Sequence, residues 1–231
     1  MKSAVVLLVV LMLHFAIGGE PDQSDAAGLA IRDRLRASFI GMEQLAATGH
    51  VKIEIEQNLV LPDLVQRGQV ITFLDTRQAR FVMVSGKTRG GFDGHQNWPV
   101  MALPDGDKRL SGGLARWYQY FPVLLTHHEL IFMAQGKDEH GGRPCQVVRV
   151  SHPGIKKPIC DIWVDMETGL PLRTGELGVE GGAFYSDYQL FGGVLYPQHI
   201  RLQGIGVVFE QTITHIGPNP DATEATYKEV K

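Results

Sequence analysis

The sequence predicts a mainly β protein with helices, an α+β fold in which one antiparallel sheet meanders and curls over its helices. Three observations carry this prediction. About ten to eleven short runs alternate apolar and polar residues, as half-buried strands do. Most of the 27 glycines stand between these runs, where tight turns need them. Strands and helices do not follow each other in the alternating order that a parallel sheet requires.

Residues 1–18 have the pattern of a signal peptide. Lys2 supplies the positive start, residues 4–13 are an unbroken apolar run, and small residues at 16 and 18 favour cleavage before Gly19. The run is shorter than the ~20 residues that cross a bilayer, although an uncleaved anchor is the alternative. No cysteine near the cleavage site could carry a lipid, and no second long apolar run follows. We therefore expect an exported, soluble protein in which residues 19–231 form one domain.

Composition excludes one class of partner. The chain of 231 residues is 44% apolar and has a net charge of −3. It has no cluster of lysine and arginine of the kind that binds phosphate backbones, so a nucleic-acid partner is not expected.

The first element after the leader is a helix over 26–46. Its apolar residues recur at helical spacing, Ser24 or Asp25 can cap its start, and Thr48-Gly49 ends it. Strands follow, and Pro197 inside one of them implies an edge or a bulge. The strands are predicted at 51–61, 69–74, 79–84, 90–92, 96–103, 130–135, 145–150, 159–165, 170–173, 183–190, 194–201 and 207–216.

The segment 112–126 interrupts the strand pattern. Trp117, Tyr118, Phe121 and Leu125 recur at three- and four-residue steps, as on one face of a helix, and Pro122 should kink it. This helix is either packed as core or serves as a lid over a cavity.

The two cysteines lie in a predicted hairpin. If its turn is centred between His152 and Pro153, Cys145 stands opposite Cys160, close enough for a disulfide. An oxidising compartment would permit the bond. The alternatives are two unpaired buried thiols or a register shifted by one residue.

The ionisable residues do not form a recognisable catalytic or metal site. Adjacent residues in His127-His128-Glu129 point apart, so they do not share a face as metal ligands would. Asp161 and Asp165 flank Trp163 on the face predicted to be outer, and we expect them to be solvated. Neither a nucleophile motif nor a phosphate-binding loop occurs. We expect no enzyme, no metal and no cofactor.

Several stretches, in their order and spacing, resemble the LolA/LolB-like superfamily of exported lipoprotein carriers. They are the first helix followed by Gly49-His50-Val51, FDGHQNW at 92–98, GRPCQVVRV and IWVDMETGLPLR within 142–173, YSDYQLFGGVLYPQHIRL at 185–202, and ITHIGPNP at 213–220.

This resemblance implies an unclosed antiparallel β-barrel lidded by helices, with an apolar cavity that holds acyl chains. The expected protein is a soluble periplasmic carrier or chaperone for a lipoprotein or lipid, acting in outer-membrane lipoprotein sorting or envelope lipid transport. Envelope transport proteins are further candidate partners. Some relatives are instead sensors of envelope stress, so a non-catalytic sensor or scaffold that recognises a protein is the alternative, and an exported hydrolase is a third hypothesis.

The expected cavity lining consists of large side chains on the helices and alternating runs, together with one arginine. Arg77 matches by position an arginine that helps to hold the lid in the carriers, although Gln78 follows it where they have proline. The apolar candidates are Leu35, Phe39, Phe73, Phe81, Trp98, Trp117, Tyr118, Phe121, Leu125, Phe132, Phe184 and Phe209.

Overall fold

Twelve strands form one antiparallel sheet in the computed structural model, which describes residues 24–61, 64–78, 80–93, 97–98, 130–153, 158–204 and 207–228. The strand order is β5-β4-β3-β2-β1-β12-β11-β10-β9-β8-β7-β6. The chain meanders outwards from β1 to β5, starts again at the far edge with β6, and meanders back until β12 pairs with β1. In the described residues β5 and β6 are the two free edges, so the sheet is unclosed.

The strands confirm the predicted runs, except that most of the run at 96–103 lies outside the described residues, which include only 97–98 of it. Their bounds are β1 His50–Leu61, β2 Leu64–Asp75, β3 Arg80–Ser85, β4 Thr88–Phe92, β5 Asn97–Trp98, β6 Ile131–His140, β7 Arg143–Ser151, β8 Cys160–Asp165, β9 Pro171–Gly175, β10 Gly182–Phe191, β11 Val194–Gly204 and β12 Val207–Pro218. β11 pairs with β12 only from His199 onwards, so Pro197 lies where β11 has a strand on one side alone, as expected.

The predicted helix over 26–46 is two helices, α1 (Ala26–Ser38) and α2 (Met42–Ala47). Gly41 breaks it with a left-handed backbone, φ 73°. A Cβ built at Gly41 would lie 2.3 Å from the carbonyl oxygen of Gly193, so the turn between β10 and β11 requires glycine here.

Both helices cover one face of the sheet, called here the inner face. α1 packs on β6 and β7, and α2 packs on β1 and β11, so strands from both halves of the sheet surround them. Ile31, Leu35 and Leu45 are among the helix residues that join the main hydrophobic core on this face. Asp25 caps α1 by accepting a hydrogen bond from the backbone of Gly28, which confirms the predicted cap.

The predicted disulfide is wrong. Cys145 lies opposite Asp165, Cys160 lies opposite Val150, and both cysteines remain thiols. Five positions of register separate the two cysteines, about 17 Å at the rise of an antiparallel strand. A disulfide needs Cα atoms within about 7 Å. The odd offset also places the cysteines on opposite faces of the sheet, with Cys160 in the main core and Cys145 beside Trp163.

Candidate functional site

The large residues predicted to line a cavity divide between the two faces. Five of them, Leu35, Phe39, Phe81, Phe132 and Phe209, lie in the main core on the inner face. Leu35 and Phe81 are 0% exposed, so they touch no space that is wide enough for water. In the part of the chain that is described, these side chains pack against one another as core.

Two predicted lining residues lie on the outer face, which corrects their placement. Phe73 packs with Val82 and Tyr227 there. Phe184 stacks on His140, with ring centroids 5.4 Å apart. Their neighbours Leu74, Ala183 and Tyr185 are the side chains that enter the main core. Because side chains alternate between the two faces along a strand, Phe73 and Phe184 point to the outer face.

The remaining five candidates have side chains outside the described residues. Trp98 belongs to β5, but its side chain is outside the described residues. The segment 112–126, the cluster His127-His128-Glu129 and the predicted signal peptide are also outside them. The lining role of Trp98, Trp117, Tyr118, Phe121 and Leu125 therefore remains a prediction.

Arg77 is exposed in the turn between β2 and β3, beside the point where α2 leads into β1. A Cβ built at Gly49 would lie 2.6 Å from Arg77 Nε, so the guanidinium rests on that glycine. The preceding residue ties the same turn to the helix, because Thr76 Oγ1 donates to the carbonyl of Ala46 at 2.7 Å. Arg77 thus stands at a helix–sheet junction, and its role in holding the helices is still a prediction.

An open groove of about 470 Å³ lies between α1 and the strands β6 and β7. It exists because a β-bulge interrupts β6 between Ala134 and Gly136, where Gly136 takes φ 104°. A Cβ at Gly136 would meet no atom within 4 Å, which shows how much space the bulge leaves. The lining residues are Ala27, Ala30, Ile31 and Arg34 of α1 and Ala134, Gly136, Lys137 and Gln146 of β6 and β7.

This groove was missed from the sequence because small side chains form it. Candidate lining residues were chosen for size, whereas Ala27, Ala30, Ala134 and Gly136 leave space by being small. The one signal in the sequence was Gly136 inside an otherwise alternating run, since an isolated strand glycine often marks a bulge or a close approach.

The polar part of the groove is basic. Arg34 donates from Nη2 to the carbonyls of Met166 and Glu167, the latter at 3.3 Å, and Lys137 is exposed. In the described residues neither cation makes an ion pair with a carboxylate. Gln146, which faces Lys137 across the β6–β7 pair, is neutral. The groove therefore combines small apolar side chains with two positive charges that no carboxylate neutralises in the described residues.

Asp161 and Asp165 lie on the outer face as expected, but they are buried, 2% and 1% exposed, and the expectation of solvated carboxylates is wrong. Arg149 donates hydrogen bonds from Nε and Nη2 to the two carboxylate oxygens of Asp161, at 2.8 and 3.1 Å. The backbone N–H of Leu177 donates a third hydrogen bond to Asp161, at 2.8 Å. The loop after β9 covers this pair, a contact that strand alternation does not reveal.

The second carboxylate closes a turn. Burial opposes ionisation of Asp165, but hydrogen bonds from Thr168 and the charge of Arg143 outweigh it and lower its pKa. Both aspartates are thus fixed in structural pairs. Among the described residues no group of three or more His, Cys, Asp or Glu side chains could hold a metal.

Comparison with known proteins identifies the architecture. No protein-family model matches the sequence, and no curated protein matches it. A LolA superfamily protein from Nitrosomonas europaea matches in structure with a TM-score of 0.58 at 8% identity, over 93% of this chain and 99% of that one. The chain has a LolA-like fold. The prediction of an unclosed antiparallel sheet with helices on one face is confirmed.

Two further structures support the LolA-like assignment. A putative outer-membrane lipoprotein-sorting protein domain from Vibrio parahaemolyticus matches with a TM-score of 0.54 at 10% identity, over 87% of this chain and 96% of that one. A DUF1329 family protein from Desulfovibrio piger matches with a TM-score of 0.53 at 12% identity, over 90% and 98%. No helix in the described part of the chain is long and apolar enough to cross a membrane.

Proposed function

We propose that this LolA-like protein is a soluble, non-catalytic periplasmic carrier or chaperone that binds an acyl-chain-bearing ligand, a lipoprotein or a lipid, without a cofactor. Its place would be outer-membrane lipoprotein sorting or envelope lipid transport. The observation that carries the proposal is the open groove of about 470 Å³ on a LolA-like sheet. The expected signal peptide, removed before Gly19, would deliver the protein there.

The groove has the size and chemistry for a hydrocarbon chain. Ligand pockets commonly have volumes of about 300–1,000 Å³ and mostly apolar walls. Each methylene fully removed from water contributes about 0.8 kcal/mol, so the affinity would grow with the length of chain that these walls cover. Hydrogen-bond donors are not needed for this part of the affinity.

The packed core supports the groove as the place of binding. Leu35 and Phe81 are fully enclosed, and Phe132 is 1% exposed, so a chain inserted between them would have to displace side chains from a close-packed interior. Ala27, Ala30 and Ala134 already stand beside open space. We therefore place the bound chain along α1, on β6 and β7.

Native mass spectrometry of the protein purified from its own envelope tests the proposal. We expect bound lipid, and we expect a fluorescent fatty acid to bind to delipidated protein. Ala30→Trp, which fills the groove, should weaken that binding at least tenfold. Ala47→Trp, at an exposed position of α2, is the control and should leave it unchanged. Absence of both bound lipid and fatty-acid binding would overturn the proposal.

A second function, recognition of a protein partner, is favoured by a different observation. Ile40 and Leu190 are each 60% exposed, and both lie near the turn between β10 and β11. Leu195 joins them, because its N–H donates to Ile40 at 2.8 Å and it stands opposite Leu190. Site-specific photo-crosslinking from Leu190 in cells should capture one defined protein if this function holds, and lipid should then be absent from the purified protein.

A further inference from the structure

We infer that the groove selects a single-chain amphiphile with an anionic head group, a carboxylate or a phosphate, which Arg34 and Lys137 bind. This inference rests on the proposed function and adds the class of ligand. The chain would lie against Ala27, Ala30 and Ala134, and the head group would lie at the basic part of the groove.

The first argument is the pairing of charges along α1. Arg32 pairs with Asp33 at 2.7 Å, and Arg36 pairs with Glu43 at 3.3 Å. Arg34, between them, bonds instead to the carbonyl oxygens of the turn between β8 and β9. Carbonyl oxygens fix a guanidinium in place without neutralising its charge. The arginine that faces the groove is thus held in position and keeps its positive charge.

The second argument is the setting of Lys137. It faces the neutral Gln146 across the strand pair. The adjacent Asp138 is already engaged, since its Oδ2 accepts from Trp163 Nε1 at 2.8 Å. Glu139 lies two residues further along β6 and, in the described structure, makes no ion pair with Lys137. An ammonium without an ion pair, in a chain of net charge −3, can be neutralised by an anionic ligand.

The third argument is the combination of these charges with apolar walls. A cleft with low-dielectric walls strengthens the field of the charges that line it, so a bound anion is favoured more than on an open surface. The bonds of Arg34 are made by Nη2, and the guanidinium has further N–H donors for carboxylate or phosphate oxygens. A cationic amphiphile of the same length would meet two like charges.

The test compares dodecyl amphiphiles that differ only in the head group, each used below its critical micelle concentration with the full-length mature protein. Laurate and dodecyl phosphate should bind at least tenfold more tightly than dodecyltrimethylammonium, with dodecyl maltoside between them. Decanoate should bind more weakly than laurate by about fourfold for each missing methylene. Inorganic phosphate alone should not bind, since it lacks the chain.

Two charge reversals locate the effect. Lys137→Glu should weaken laurate at least tenfold and change dodecyl maltoside less than twofold. Lys87→Glu makes the same change at an exposed lysine between β3 and β4, and it should change neither ligand. Circular dichroism of both variants confirms the fold.

The possible outcomes distinguish failure of the anion selection from failure of the carrier function. Equal binding of all head groups, or equal effects of the two reversals, overturns anion selection while the carrier function stands. Binding of inorganic phosphate as tight as that of dodecyl phosphate overturns the role of the chain. Failure of every amphiphile to bind overturns the carrier function together with this inference.

Discussion

The C-terminal segment is held on the outer face by a buried arginine, and removing that arginine should cost a large part of the stability. Arg80 is 6% exposed and donates from Nε to Asp75 Oδ2 at 2.7 Å. Its two terminal nitrogens bond both oxygens of Glu224 at 2.9 and 2.6 Å. Glu224, first, and then Asp75 raise the pKa of Arg80 above its ordinary value. The guanidinium also lies 4.7 Å from the ring centre of Tyr227.

The magnitude follows from the burial of each partner. The side chain of Asp75 is 2% exposed, so Arg80→Ala leaves a buried carboxylate without its cation. Such a loss costs about 3–5 kcal/mol. In a domain of this size about 1 kcal/mol moves the midpoint of thermal unfolding by 2–4 °C, so we expect a decrease of roughly 6–20 °C. The side chain of Glu224 is 62% exposed, so water screens its charge and Glu224→Ala should cost much less than Arg80→Ala.

Urea unfolding followed by circular dichroism measures these differences as free energies. The double variant Arg80→Ala/Asp75→Asn should recover part of the loss, because the amide carries no charge and its oxygen can still accept hydrogen bonds from the backbone of Arg77 and Gln78. If Arg80→Ala costs no more than Glu224→Ala, the pair is screened by water and the reasoning from burial is wrong.

Three further predictions test other parts of the molecule. Burial, together with the charge of Arg173, lowers the pKa of His140, so the folded state binds fewer protons than the unfolded state. The free energy of unfolding should therefore decrease as the pH drops below about 6.5. Urea unfolding at pH 5.5 and 7.5 should show a smaller decrease for His140→Gln. Gly28→Ala should destabilise the fold in urea, although alanine favours helices, because its Cβ would lie 2.1 Å from the carbonyl oxygen of Phe132; a gain in stability would contradict the contact. Alkylation in denaturant without reductant should add two adducts, detected by mass spectrometry, whereas Cys145, being buried, should react slowly in the native protein.

The strands were predictable because each carries its own evidence. Period-two alternation and turn residues are local, and they marked a run at each strand and the meander, although the predicted count was about ten to eleven and the sheet has twelve strands. Register is not local. The cysteine hairpin was given a tight turn at His152, whereas β7 ends at Ser151 and β8 begins at Cys160, so the connection is longer than two residues. The length of a connection sets which residues face each other, and alternation on either side does not reveal it.

The site was less predictable because it depends on contacts between distant segments. Gly41 looked compatible with one long helix, and its left-handed backbone becomes necessary only beside Gly193. Asp161 was expected to be solvated, but in the structure the loop that carries Leu177 covers it. Selection by size found core residues such as Phe81, since in the described interior large side chains fill space and small ones leave it.

The anchoring of α1 explains why the groove stays open in a protein with a close-packed core. At its start, Phe132 N–H donates to Ser24 Oγ at 2.9 Å, and Asp25 accepts from the backbone of β6. At its other end, Ser38 Oγ donates to the carbonyl of Thr168 at 3.0 Å, and Arg34 bonds the same turn. These anchors hold α1 in one position against β6 and β7, so the helix does not shift to fill the space that the bulge leaves. A ligand of the proposed kind would therefore meet a preformed groove, and little of its binding energy would be lost in ordering the protein.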